Sequence, residues 1–206
     1  FMGKRVLVVG FGNSGGEIAL DLANAGIMPR LSVRGPVNIM PRDMLGIPIL
    51  TLTILQKSLP YKLADLINKP VLRLFVGNTK KLGLRALPKG PMAQVIEDGK
   101  IPLLDVGTLD ALRNGTIELR QGIDRIDGRT VSFADGQREK FDSIILATGY
   151  QPDLRSLLPD WAHRLDDSGC PRTSGAKGGE DGLYFCSYQA SPTGQFRQMG
   201  IEAREI

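Results

Sequence analysis

Three glycines near the N-terminus have the spacing that a dinucleotide site requires. Gly10, Gly12 and Gly15 form a G-x-G-x-x-G pattern. In such a pattern the first glycine permits a tight turn, the second lets a pyrophosphate approach the backbone, and the third lets a helix pack closely on a strand. The N–H groups of the helix then face phosphate with a partial positive charge. The pattern therefore indicates dinucleotide binding, with a glycine-rich turn that holds no ligand as the alternative.

The residues on both sides of this turn predict the elements that would position it. Val6–Val9 are continuously apolar, which is typical of a strand covered on both faces. We expect a helix over residues 14–25, with Asn13 or Ser14 as its N-cap and Gly26 just beyond its last turn. A second short strand over residues 30–34 would complete a βαβ unit.

Arg34, at the end of that second strand, bears on the choice of cofactor. An NAD site places an acidic residue about 20 positions past the glycines, but no acid lies between Asp21 and Asp43. A carboxylate would repel a 2′-phosphate, whereas an arginine pairs with it. We therefore predict NADP rather than NAD, with a solvated strand-end arginine as the alternative. Arg30 and Arg42 are weaker candidates for the same phosphate.

Composition excludes several other classes of function. The chain has 206 residues, is 42% hydrophobic and carries a net charge of +4, with scattered basic residues that do not favour nucleic-acid binding. Cys170 and Cys186 lack disulfide or metal spacing, which favours a reducing, cytoplasmic setting. His163 is expected at the surface beside Trp161. The longest apolar run, residues 47–55, is too short to span a bilayer.

The middle of the chain predicts two helices that lie outside the sheet. Apolar stretches cover residues 49–59 and 63–76, and Pro70 is expected to start or kink a helix. This helical excursion either covers the entrance to the cofactor and substrate or packs on the sheet. A membrane-contacting surface lacks a supporting charge pattern in the sequence.

The remainder predicts further strands and helices. Thr108 is expected to cap a short helix, and Asp-Gly pairs mark hairpin turns between strands that form an antiparallel meander before the last parallel strand. The predicted helices cover residues 109–113 and 195–206, and the predicted strands cover residues 117–121, 123–127, 130–133, 142–147 and 183–186.

These elements define the expected fold class as α/β. We expect a Rossmann-like, doubly wound parallel sheet with an antiparallel β-meander insert and a helical excursion. The chain starts a strand almost at once and ends without a helix C-cap, so we expect it to be cut at both ends. The strand over residues 183–186 would then lack sheet neighbours. We therefore expect instability, a homodimer, or a missing N-terminal segment that completes the fold.

Together these motifs resemble the flavin-containing monooxygenase family. The resemblance rests on Gly10–Gly15 (G-F-G-N-S-G), Arg34, Pro41–Gly46 (P-R-D-M-L-G) and Ala147–Tyr150 (A-T-G-Y). The P-R-D-M-L-G segment is similar to the branch that includes the plant indole-3-pyruvate monooxygenases and their bacterial relatives. The family nests an NADPH domain inside an FAD domain. The resemblance implies an NADPH-binding domain over residues 1–147 and a returning part of an FAD domain over residues 148–206.

The resemblance also implies roles for individual residues. The glycine motif would hold the NADPH pyrophosphate, Arg34 the 2′-phosphate, and the A-T-G-Y segment would return the chain towards the flavin domain. The expected cofactor-binding residues are Gly10, Phe11, Gly12, Asn13, Ser14, Gly15, Arg34, Arg42, Thr148 and Gly149. No metal site and no catalytic side chain are expected.

The implied activity is reduction of FAD by NADPH and transfer of one oxygen atom from O2 to a small organic substrate. The family's first glycine motif, which binds FAD, is absent from this sequence, so we expect the isolated chain to bind NADPH without oxygenation. The alternative is a stand-alone NADP-binding module. A thioredoxin-reductase-like enzyme is disfavoured because no C-x-x-C pair is present.

Overall fold

The computed structural model describes residues 1–150, 152–175 and 182–206. The strands are β1 Val6–Val9, β2 Arg30–Val33, β3 Ile39–Pro41, β4 Asp43–Met44, β5 Ile47–Pro48, β6 Leu103–Asp105, β7 Glu118–Gln121, β8 Ile123–Asp127, β9 Thr130–Phe133, β10 Arg138–Lys140 and β11 Ser143–Leu146. The helices are α1 Asn13–Asn24, α2 Ile49–Leu55, α3 Tyr61–Val76, α4 Pro91–Asp98, α5 Thr108–Arg113 and α6 Gln195–Glu205. Two short 3-10 helices cover Thr79–Leu82 and Pro159–Arg164.

The central element is a four-stranded parallel sheet in the order β11-β1-β2-β7. Val8 of β1 lies between Ile145 of β11 and Leu31 of β2. This order confirms the predicted βαβ unit and the doubly wound α/β fold. Parallel strands place their carboxyl ends on one edge, and that edge is where such folds bind ligands.

Strand β1 is buried on both faces, as its apolar run predicts. Val6 and Val8 pack into a core cluster with residues of α1 and α5. Leu7 points to the opposite face and packs with Phe133 and Phe141. All three β1 residues are fully buried, so the glycine turn that follows them is anchored to the most buried strand of the sheet.

The antiparallel insert has three strands, as predicted, but not the same three, since β10 was not predicted. Strands β8, β9 and β10 form the meander, with turns at the two predicted Asp-Gly pairs. Strand β7 instead pairs in parallel with β2, so its placement in the meander was wrong. Gly122, between β7 and β8, marks the change of sheet.

Two further pairs of strands accompany the excursion. Strand β3 pairs in parallel with β6, and β4 pairs with β5 in a hairpin. Helix α3 begins at Tyr61 and continues through Pro70, so Pro70 does not start the helix. Within the described ranges, no helix combines the length and apolar character needed to cross a membrane.

Helix α5 is not capped by Thr108, in contrast to the prediction. Thr108 is the first residue of the helix, and its hydroxyl donates to the carbonyl of Gly16 at 3.1 Å. The carboxylate of Asp105 instead accepts the N–H of Leu109 at 3.0 Å. The buried Thr108 hydroxyl therefore joins α5 to α1.

The chain divides into two compact units. One contains residues 1–49, 65–91 and 102–149, and the other contains residues 50–64, 92–101 and 150–206. This division does not test which part binds NADPH and which belongs to an FAD domain, so both assignments stay predictions.

In the second unit, α6 is present as predicted but the strand over residues 183–186 is not. Ser187 has a left-handed backbone (φ 67°), and its N–H donates to the buried Glu202 carboxylate at 2.7 Å. This turn ends the extended stretch directly after residue 186. His163 is exposed and stacks on Trp161, as predicted.

Candidate nucleotide-binding site

Gly10 forms the tight turn between β1 and α1. Its φ is +108°, and a Cβ atom there would lie 2.3 Å from the carbonyl oxygen of Ala147. Its N–H donates to the carbonyl of Ser32 at 3.0 Å. The turn is therefore held between the carboxyl ends of β11 and β2, where a side chain has no room.

Gly15 lets the first turn of α1 approach this loop. A Cβ at Gly15 would lie 1.9 Å from the Gly10 carbonyl oxygen. A Cβ at Gly12, by contrast, would meet nothing within 4 Å. No packing contact therefore requires a glycine at position 12, and the lack of a side chain there leaves the space in front of the helix open.

Helix α1 begins without a side-chain cap. Gly12 is the N-cap, and within the described part of the chain no side-chain cap bonds to the first turn. The N–H groups of Asn13, Ser14 and Gly15 have no acceptor within the helix, because α-helical bonds begin with the N–H of Gly16, which donates to Gly12 at 2.9 Å. These N–H groups and the helix dipole suit an anion.

The prediction that Asn13 or Ser14 caps the helix was wrong. The amide oxygen of Asn13 accepts the N–H of Leu104 at 2.7 Å, and its amide nitrogen donates to the carbonyl of Pro102 at 3.4 Å. The Asn13 side chain therefore fixes the start of β6 beside the glycine turn. Its backbone N–H remains directed along the helix axis.

The side chain of Phe11 also packs within the protein. Its side chain is buried in the core cluster that includes Val8. A ligand at the glycine turn can therefore meet Phe11 through the backbone, while the ring fixes the position of the loop.

Thr148 and Gly149 follow β11 at the same edge. The N–H of Ala147 donates to the carbonyl of Val9 at 2.8 Å, which aligns this segment with the end of β1. Both residues are exposed, and Gly149 has a φ of +89°. The structure thus brings them together with Gly10.

Arg34 immediately follows β2 and is exposed. Gly122 lies under its side chain, since a Cβ at Gly122 would come within 3.3 Å of the Cβ and Cγ of Arg34. The carbonyl of Arg34 accepts a hydrogen bond from Nη2 of Arg85 at 2.7 Å. Two guanidinium-bearing residues therefore meet beyond the end of β2.

Sequence reasoning missed Arg85. It lies 51 positions after Arg34, and no motif links the two. The link is made by tertiary pairing: Val37 forms a parallel bridge with Ala86, and its N–H donates to the Arg85 carbonyl at 2.8 Å. A local pattern could not have indicated this pairing.

Arg30 and Arg42 occupy other positions. Arg30 opens β2 and pairs with Glu118 and Glu139, both at 3.3 Å, at the amino ends of the strands. It lies at the end of β2 opposite the glycine turn, which disfavours it as a ligand of the 2′-phosphate. Arg42 is exposed between β3 and β4, outside the four-stranded sheet, and the structure does not place it beside Gly10 and Arg34.

The parallel sheet and its antiparallel insert define a Rossmann-type α/β fold. The flavin-binding monooxygenase-like family model matches residues 1–159, and the chain belongs to this family.

Curated relatives support the same assignment. The chain is 44% identical to the indole-3-pyruvate monooxygenase YUCCA6 of Arabidopsis thaliana over 191 residues, covering 91% of the chain and 46% of that protein. It is 38% identical to the indole-3-pyruvate monooxygenase YUCCA1 of Oryza sativa subsp. japonica, covering 91% of the chain and 47% of that protein. The chain therefore spans about half the length of these relatives.

Solved structures agree on the fold. A steroid monooxygenase bound to NADP matches with a TM-score of 0.65 at 14% identity, covering 99% of this chain and 51% of that one. A flavin-containing monooxygenase from Stenotrophomonas maltophilia matches with a TM-score of 0.54 at 16% identity, covering 98% and 49%.

Proposed function

We propose that this chain supplies the NADPH-binding part of an FAD-dependent monooxygenase. One observation carries the proposal: at a single sheet edge, an uncapped helix N-terminus lies beside a glycine with open space in front of it, and two arginines meet at the end of the neighbouring strand. The first feature suits a pyrophosphate, and the second suits a 2′-phosphate.

The residues of this edge fit NADPH in distinct ways. The N–H groups of Asn13, Ser14 and Gly15 would hold the pyrophosphate, and Gly12 would allow its close approach. The guanidinium of Arg34 would pair with the 2′-phosphate. Thr148 and Gly149 would line the nucleotide site beside Gly10. Arg42 is a weaker candidate for binding the nucleotide because the structure places it outside the four-stranded sheet.

NADPH, when bound, supplies a hydride to the flavin, and the flavin supplies the oxygen chemistry. The part of this chain is to bind and orient the nucleotide. Residues 148–206 are proposed as the returning part of the FAD domain. The isolated chain is proposed to bind NADPH without oxygenase turnover, since its sequence contains one G-x-G-x-x-G motif.

The substrate of the whole protein is proposed to be a small organic molecule. The curated relatives are named for indole-3-pyruvate, which makes that acid the first compound to test.

Calorimetric titration of the chain with NADP⁺ and NAD⁺ tests the cofactor proposal. We expect NADP⁺ to bind more tightly than NAD⁺, and Arg34→Ala to lower the NADP⁺ affinity about ten-fold or more, because one charge-assisted phosphate contact contributes about 1.5–3 kcal/mol. Equal affinities for both nucleotides would refute the assignment of Arg34. NADPH and O2 consumption at an enzyme-like rate after addition of FAD would refute the proposal of an inactive isolated chain.

A further inference from the structure

Helix α3 carries a row of exposed apolar side chains that the proposed nucleotide site does not use. Leu63, Ile67 and Leu74 are 43%, 49% and 80% exposed, and Pro70 is exposed between the last two. Their spacing of four, three and four residues places them on one face of the helix. Leu66 beside this row is 67% exposed. Scattered exposed apolar residues are ordinary, but a continuous row marks a contact surface.

A basic row runs beside the apolar row. Lys62, Lys69 and Arg73 are exposed, and each precedes a member of the apolar row by one position. One position is about 100° around an α-helix. The helix therefore presents an apolar strip with a strip of positive charge along one border. Because the observed helix begins at Tyr61, it includes Lys62, which the predicted helix left out.

Charge is concentrated in this part of the chain. Residues 50–82 contain six of the 26 basic residues but one of the 22 acidic residues. The net charge of the whole chain is +4, so this segment accounts for all of the excess. The sequence interpretation found no charge pattern here because the pattern emerges only when the residues are placed on the observed helix.

We propose that α3 binds the surface of an anionic lipid bilayer, with the apolar row in the boundary between headgroups and acyl chains and the basic row on the lipid phosphates. Lysine and arginine side chains can keep their stems in the apolar layer while their charged ends reach the phosphates. Asp65 interrupts the basic row between Lys62 and Lys69, but the row keeps a net positive charge along three turns, which suits an anionic plane. The helix would lie in the interface plane, in keeping with its amphipathic character.

Co-sedimentation with phosphatidylcholine vesicles, with and without phosphatidylserine, tests this proposal on the full chain without nucleotide. We expect binding to the anionic vesicles, weakened by salt, and little binding to the zwitterionic ones. Lys69→Glu with Arg73→Glu should lower vesicle affinity at least about ten-fold. Ile67→Gln with Leu74→Gln should abolish the salt-resistant part of the binding.

Matched controls separate this helix from general charge and apolarity. Arg125→Glu with Arg138→Glu reverses two exposed basic residues of the meander, and Leu45→Gln removes an apolar side chain that is 89% exposed. Neither control should change vesicle binding. Circular dichroism on every variant checks that the fold is intact.

A depth measurement supplies a second readout. In a Trp161→Phe background, Leu74→Trp should show blue-shifted fluorescence on anionic vesicles and quenching by brominated lipids. Equal binding to both vesicle types, wild-type binding by the charge-reversed variant, or unshifted fluorescence from the Leu74→Trp variant would overturn the proposal. The proposal would also be overturned if the wild-type chain bound no vesicles while Ile67→Gln with Leu74→Gln dissociated a protein dimer. This face of α3 would then contact a second copy of the chain.

Discussion

Nη2 of Arg85 donates a hydrogen bond to the backbone carbonyl of Arg34 at 2.7 Å, although 51 positions separate the two residues. This bond uses one of the five N–H donors of the exposed Arg85 guanidinium. The bond also fixes the Arg85 head group next to the residue proposed to bind the 2′-phosphate. The two arginines would then share one doubly charged phosphate.

Arg85→Ala should therefore lower NADP⁺ affinity about ten-fold, with a much smaller effect on NAD⁺, because the lost contact is to the 2′-phosphate. Arg85→Lys should give an intermediate affinity, since it keeps the charge but loses the planar fork. Titrations of both nucleotides on both variants measure this. Arg125→Ala, an exposed arginine of β8, is the control. Equal losses for NADP⁺ and NAD⁺ would show that Arg85 supports the loop rather than the phosphate.

The glycines of the motif should separate into stability and binding roles. Gly10→Ala combines a positive φ with a 2.3 Å contact to the Ala147 carbonyl, so it should lower the free energy of unfolding by about 2–4 kcal/mol. Gly136→Ala also has a positive φ but meets nothing within 4 Å, and should cost about 1 kcal/mol. Urea unfolding of the two variants isolates the cost of the contact.

Gly12→Ala should behave in the opposite way. Its φ of −95° is ordinary and its Cβ meets no protein atom, so stability should be nearly unchanged. The methyl group would occupy the space proposed for the pyrophosphate, and affinities for NADP⁺ and NAD⁺ should fall together. Unchanged affinity for both nucleotides would contradict the proposed pyrophosphate position.

The sequence predicts β1, the glycine turn and α1 better than the features that depend on residues far away in the chain. A four-residue apolar run and three glycines define β1, the turn and α1, because their packing constraints are local. β7 was misplaced because nothing in four residues distinguishes a parallel partner of β2 from a strand of the meander. The Asn13 cap failed for a related reason: its amide bonds to Pro102 and Leu104, which are about 90 positions away.

Removing the carboxylate of Glu139 should weaken the amino end of the sheet without affecting the nucleotide. Glu139 binds Arg30 of β2 and Arg120 of β7, and Glu118 completes the cluster. Burial alone would lower the pKa of Arg120, but its hydrogen bonds to Glu139 and Glu118 raise it, so Arg120 remains charged. Glu139→Gln should therefore cost about 1–2 kcal/mol, since these part-buried ion pairs form a network.

Arg30→Ala tests the same cluster from the other side. Because Arg30 lies at the amino end of β2, NADP⁺ affinity should stay within about two-fold of the wild type while the unfolding midpoint falls. Differential scanning calorimetry and titration on the same sample measure both quantities. A ten-fold loss of NADP⁺ affinity with an unchanged midpoint would return Arg30 to the phosphate site.

Glu202 should make the second unit sensitive to acid. Burial alone would raise the pKa of this carboxyl, but hydrogen bonds from Ser174, from the Ser187 N–H and from Gln198 outweigh burial and lower it below 4.5. A lowered pKa in the folded state contributes stability that is present above the unfolded pKa and lost as the pH falls through the folded one. The contribution should therefore be complete at neutral pH and be lost as the pH falls from 4.5 through the lower folded pKa.

Glu202→Gln removes that titration. At neutral pH the variant should be about 1–3 kcal/mol less stable than the wild type, because the amide accepts these hydrogen bonds less well and presents a donor to Ser187. The difference should shrink as the pH falls from about 6 to about 3. Urea midpoints over that range measure it, with Glu205→Gln, an exposed residue of the same helix, as the control. A constant difference across the range would mean that Glu202 acts through packing rather than through its charge.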